Sequence, residues 1–179
     1  MRRILSVSAL VFLAACGGSA TVPSGEQVSI QKLLSDTRGR PYECVNYDAG
    51  SDSCEGIARR SVRGDRIHYD VALLVPGPNR DTVTVRIGAE FQIEGSRYCG
   101  SLARADIRTE GQLTPAQRSL LEEVLLAEMI LMGDVCGTYV RDTAGRYTSV
   151  TTDRAGRVLR DGVEPVQFFR GPKKLRLAM

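Results

Sequence analysis

The chain has no tryptophan and one histidine, His68, and aromatic residues make up only 6% of it. Sugar-stacking clefts draw on large aromatic faces, so this composition disfavours a carbohydrate platform built from Tyr42, Tyr47, Tyr69, Tyr98, Tyr139 and Tyr147. Those tyrosines read instead as residues at the edge of a core, with their hydroxyls in water. A single imidazole also narrows hydrolytic chemistry, because a serine or cysteine nucleophile needs a basic partner. Neither Ser61 nor Ser101 sits in the Gly-x-Ser-x-Gly elbow that would present it. His68 beside Asp70, or a carboxylate pair drawn from Glu90, Glu94 and Asp70, are the catalytic candidates left. Charge on the wet face of a sheet accounts for them more simply, and no catalytic residue is assigned.

Strong charge of one sign is missing too. There are 24 Lys and Arg against 21 Asp and Glu, and setting aside Arg2 and Arg3 leaves 22 against 21. A nucleic-acid binder carries a marked basic excess, so nucleic acid is not an expected partner. No Cys-x-x-Cys pair occurs, and with one His this removes the common zinc patterns. Neither metal nor cofactor is expected. No apolar run reaches the roughly 20 residues that a spanning helix needs.

What the chain does have is a basic start, Arg2-Arg3, an apolar stretch over residues 4–13, and the run Leu13-Ala14-Ala15-Cys16. Basic start, apolar core and small residues before a cut make residues 1–15 a secretory signal. The Leu-Ala-Ala-Cys run resembles the lipobox of bacterial lipoproteins. That resemblance implies a diacylglyceryl thioether on Cys16, cleavage before it and acylation of its amine. With Gly17 rather than Asp next, it also implies sorting to the outer membrane, facing the periplasm. Two or more acyl chains anchor a protein stably, at about 0.8 kcal/mol per buried methylene. Residues 16–27, rich in Gly, Ser, Thr and Pro, read as a flexible tether whose reach is on the order of 17–20 Å.

With Cys16 taken by lipid, four cysteines remain, an even number suited to an oxidising compartment. Three pairings are open. Cys44 with Cys54 and Cys99 with Cys136 are favoured, because the first closes a polar loop and the second ties a strand to the far side of the long helix.

Periodicity then supplies the elements. Ile67, Tyr69, Val71, Leu73 and Val75 fall on one face of a strand, with His68 and Asp70 on the other. Val83, Val85, Ile87, Ala89, Phe91 and Ile93 share one face of the next, opposite Thr82, Thr84, Arg86, Glu90, Gln92 and Glu94. A period of two held this long means an antiparallel strand with one wet face. Thr114-Pro115-Ala116-Gln117 opens a helix over residues 114–132, and Gly133 can end it. Its last two turns are almost wholly apolar, so the helix is expected to lie across the sheet on Val85, Ile87 and Phe91, with its second half buried most deeply. Residues 136–141 and 146–152 read as strands, 158–159 and 166–169 as two short ones. Residues 28–35 leave strand and helix turn both open.

The sequence thus predicts an α+β domain over residues 28–170. Its architecture is an antiparallel β-sheet with one long α-helix packed on one face, stapled by disulfides and followed by a basic tail over 171–179. In function it reads as a membrane-anchored envelope lipoprotein held by lipid on Cys16, a non-catalytic binding or assembly module with a possible envelope protein partner. The alternative is a small exported hydrolase using His68 with an acidic or hydroxyl partner.

Overall fold

The computed structural model describes residues 23–77 and 81–178, so the lipobox and Cys16 lie outside the described residues. The chain opens with β1 (Glu26–Val28) and α1 (Ile30–Asp36), then β2 (Tyr42–Val45), β3 (Ser53–Cys54), β4 (Gly56–Arg63), β5 (Arg66–Pro76), β6 (Thr82–Glu94), β7 (Arg97–Ser101) and β8 (Asp106–Glu110). Helix α2 (Pro115–Met132) separates these from β9 (Asp134–Arg141), β10 (Tyr147–Asp153), β11 (Val158–Phe169) and β12 (Lys174–Leu175).

The sheet is not open. Strands β2, β4, β5, β6 and β7 pair in chain order, β9, β10 and β11 do the same, β11 pairs with β2, and β7 pairs with β9. The result is an antiparallel barrel of eight strands. Closure explains why the expected helix-on-sheet arrangement fails. The odd-numbered face of β6 is apolar as its alternation requires, but it turns into the barrel, where Ala89 and Phe91 cluster with Ala58, Ile67, Tyr69 and Val135. Phe91 lies 6.0 Å from the Tyr69 ring and 5.3 Å from the Tyr98 ring. An eight-stranded barrel is just wide enough to be filled by side chains, and Ile67, Val85, Phe91, Tyr139, Val166 and Phe168 fill this one.

Helix α1 resolves the stretch left open by the sequence. Ser29 caps it by accepting from the backbone N–H of Lys32, and Ile30 and Leu33 are fully buried against Tyr139, Val166 and Phe168 at one end of the barrel. Glu26 and Gln27, read from the sequence as tether, pair with Arg141 and Val140 in β1, and residues 16–22 of that stretch lie outside the described residues. The two short strands expected near the C-terminus are one continuous β11. It passes a kink at Asp161 (φ 58°) and Gly162, where a side chain would collide with the carbonyl of Thr151.

At the other end the chain leaves β7 for β8 and α2 before returning as β9. The capping box is formed: the Thr114 hydroxyl accepts from Gln117 N at 3.3 Å and the Gln117 side chain accepts from Thr114 N at 2.9 Å. Contrary to expectation, α2 does not cross the barrel wall. It lies beside β8 and the turn Leu102–Arg104, with Met129 buried. Glu122 accepts from the Thr109 amide at 2.9 Å and its hydroxyl at 2.8 Å, while Arg118 donates to the Thr109 carbonyl. Among the described residues strand β8 pairs only with β6, and these two side chains satisfy backbone groups on its open edge that would otherwise invite another strand.

The basic tail is part of the fold as well. Strand β12 pairs in parallel with β3, and Leu177 bridges Leu74. Lys173 meets Asp52 at 2.8 Å and Arg176 meets Glu55 at 2.6 Å, so the chain itself takes up these charges. The disulfides are Cys44–Cys54 and Cys99–Cys136, the pairing expected from the loops they close. They place the chain in an oxidising compartment outside the cytoplasm.

Candidate functional site

Three places on the molecule carry polar or apolar groups that the barrel alone does not require. The first is inside it. Glu43 of β2 and Arg60 of β4 point inward, opposite the expectation for charged side chains, and both are buried. Tyr139 donates to Glu43 Oε2 at 2.6 Å, and the Tyr69 and Tyr139 hydroxyls are 2.9 Å apart. Because a tyrosine has one hydroxyl proton, Tyr139 spends its own on Glu43 and accepts from Tyr69. Arg60 donates to Thr37 Oγ1 and, at 3.3 Å, to the Arg40 carbonyl. Its guanidinium carbon sits 4.3 Å above the Phe168 ring and its Nη1 is 4.0 Å from Glu43. Burial pushes the Glu43 carboxyl up to about 7, against the pull of the Tyr139 hydrogen bond and the Arg60 charge, and the same burial pushes Tyr98 up to about 12. From the sequence the tyrosine hydroxyls are expected in water. For Tyr69, Tyr98 and Tyr139 that is reversed, because barrel closure turns one face of each strand into an interior and Glu43 supplies the partner a buried hydroxyl needs. Glu43, Tyr69 and Tyr139 are buried, while Arg60 and Thr37 also line a recess of about 270 Å³ with Leu34, Arg38, Pro41 and Val62.

The second place is the outer wall around His68. Its Nε2 lies 3.2 Å from Asp70 Oδ1, and its side chain is 42% exposed. Register sets Ser61, His68 and Glu90 side by side on β4, β5 and β6 above a shallow recess of about 260 Å³. The row has the residue types of a hydrolytic triad without its contacts. His68 is engaged by Asp70, and Glu90 is held by Arg66 at 2.5 Å. The neighbouring amides of these central strands are committed to the sheet ladder, leaving none aimed at a developing oxyanion. Among the described residues, no group of three His, Cys, Asp or Glu side chains could hold a metal ion.

The third place is apolar, and sequence reasoning missed it. Leu120, Val124 and Leu131 of α2 are 64%, 52% and 80% exposed, with Ile130 beside them. Successive spacings of four, three and four residues put Leu120, Val124, Ala127 and Leu131 in one stripe along the outward face. Glu123 and Glu128 flank it, and Arg118 is turned inward to Thr109. The signal was present in the apolar residues all round the helix, which left one face without a partner inside the domain.

Across β8 from this helix lies a groove of about 720 Å³ on the outer wall, between β8 and the returning tail. Ile57, Ala72 and Leu74 form its floor and Leu175 one wall, while Arg59, Arg86, Arg108 and Lys173 stand around it with Asp70 and Asp106. Comparison with models of protein families, with curated proteins and with solved structures found no match.

Proposed function

We propose that this protein is a lipid-anchored component of a bacterial envelope, held by acyl chains on Cys16 at the outer membrane, and that it acts by docking rather than by catalysis. The barrel serves as a rigid stand, and α2 is the element it presents. The observation that carries this reading is the exposed stripe of Leu120, Val124 and Leu131. Contiguous apolar surface of this kind on a folded domain marks a site of association. Its acidic flanks speak for a protein and against a bilayer, since helices that lie on anionic membranes carry Lys and Arg on their polar side. The partner surface is therefore an apolar groove rimmed by cations.

Two experiments test the two halves. Cys16→Ser should yield protein without lipid that no longer partitions into detergent with the membrane; unchanged mass and partitioning would remove the anchor. Photo-crosslinking from position 124 in intact cells should give a discrete protein adduct, whereas the same probe at exposed Arg160 should not. Absence of any adduct from 124 would remove the docking role.

A further inference from the structure

Resting on that docking reading, we propose that the partner is a second copy of this chain, with the α2 stripe of one copy seated in the outer-wall groove of the other. The chain carries both halves of the complementarity. The helix face offers apolar side chains between Glu123 and Glu128, with no cation among them. The groove offers an apolar floor with Arg59, Arg86, Arg108 and Lys173 around it, and of these Arg59 is the cation left to meet an incoming carboxylate. Arg86, Arg108 and Lys173 have carboxylate neighbours of their own in Glu110, Asp106 and Asp52. The Arg59 side chain has no hydrogen-bond or ion-pair partner among the described residues, and the residue stands directly across the strands from Asp70.

Dimensions agree. From Leu120 to Leu131 the stripe runs about 16 Å at 1.5 Å per residue. The floor from the Arg59–Asp70 row to Leu74 runs about 14 Å at roughly 3.4 Å per residue. Gly88 of β6 lies in that floor. A Cβ added there would meet nothing closer than 3.7 Å, so the fold does not need glycine at this position, and its effect is to leave the floor bare. A symmetric pairing of two α2 helices fits less well, because every charge along both flanks of the stripe is a carboxylate.

The test is disulfide crosslinking of full-length protein in membranes, with one cysteine added per copy. Ala127→Cys in one copy and Ala72→Cys in a co-expressed second copy should give a covalent dimer. Ala127→Cys alone should not. Adding Gly88→Ile, which fills the groove, or Arg59→Glu should cut the crosslinked fraction about tenfold, the change expected from losing roughly 1.4 kcal/mol of association. A dimer from Ala127→Cys alone would overturn the proposal in favour of helix against helix. No dimer from any pair, with the adduct from position 124 containing a different protein, would overturn it while leaving the docking role standing. No adduct of either kind would remove both.

Discussion

Glu43 is a carboxylic acid set among aromatic rings, and burial dominates the fate of its proton. Its pKa rises from 4.5 to about 7 on folding. A raised carboxyl pKa means that the folded state holds the proton more tightly than the unfolded chain. Its contribution is therefore fully present below about pH 4.5 and is lost as pH climbs through about 7, up to roughly 3 kcal/mol in all. Asp36, Asp48, Asp52, Asp142 and Asp153 have lowered values and act in the opposite sense, but only below their ordinary value of 3.8, so the two windows are separate. Urea unfolding from pH 5 to 8 should show wild-type stability falling relative to Glu43→Gln, and parallel curves would mean that Glu43 does not titrate there. Gly137 is the other residue-scale test. The Tyr98 ring occupies the space where a side chain at 137 would stand, so Gly137→Ala should cost about 1–3 kcal/mol by overpacking. A urea midpoint unchanged in that variant would contradict the interior placement of Tyr98. Neither Glu43 nor its buried neighbour Arg60 was legible beforehand. Glu43 lies in a four-residue strand, Tyr42-Glu43-Cys44-Val45, too short for a period to show which side is inside, and Arg60 follows Arg59 with no alternation to separate them.

Elements with a long period were legible, and their partners were not. The parity of β5 and β6 is in the structure as the alternation requires: Ile67, Tyr69, Val85 and Phe91 are buried, and His68 and Glu90 are on the outside. The caps of α2 were readable from Thr114 to Gly133 because capping is local chemistry. Where α2 packs was not, since a helix apolar on two faces has no single direction to offer. Barrel closure depends on β11 meeting β2 and β7 meeting β9, pairings between distant segments that leave no mark on either strand's own pattern. The Cys99–Cys136 disulfide sits at the second of these seams, where the two cysteines are cross-strand neighbours and the chain between them makes the excursion through β8 and α2. Removing it frees a loop of 37 residues in the unfolded chain, against 10 for Cys44–Cys54. The chain-entropy relation then gives about 4 and 3 kcal/mol. Denaturant curves of the two double Cys→Ala variants should show the larger loss for the Cys99–Cys136 pair; the reverse order would mean that native contacts at the seam, not loop closure, set its contribution.

At the scale of the whole molecule, α2 lies beside β8 outside the closed barrel, and it is this helix to which we attribute docking. The exposed stripe of Leu120, Val124 and Leu131 is what supports the proposed docking by α2. The direct measurement is complementation of a deletion strain by two variants that both fold and reach the membrane. Leu131→Glu places a charge in the stripe at a residue that is 80% exposed, so stability should change by no more than about 0.5 kcal/mol; His68→Ala removes the one imidazole. The expected result is loss of function in Leu131→Glu and full function in His68→Ala. Full function in Leu131→Glu with loss in His68→Ala would contradict the docking account and point to hydrolysis at the Ser61, His68 and Glu90 row instead.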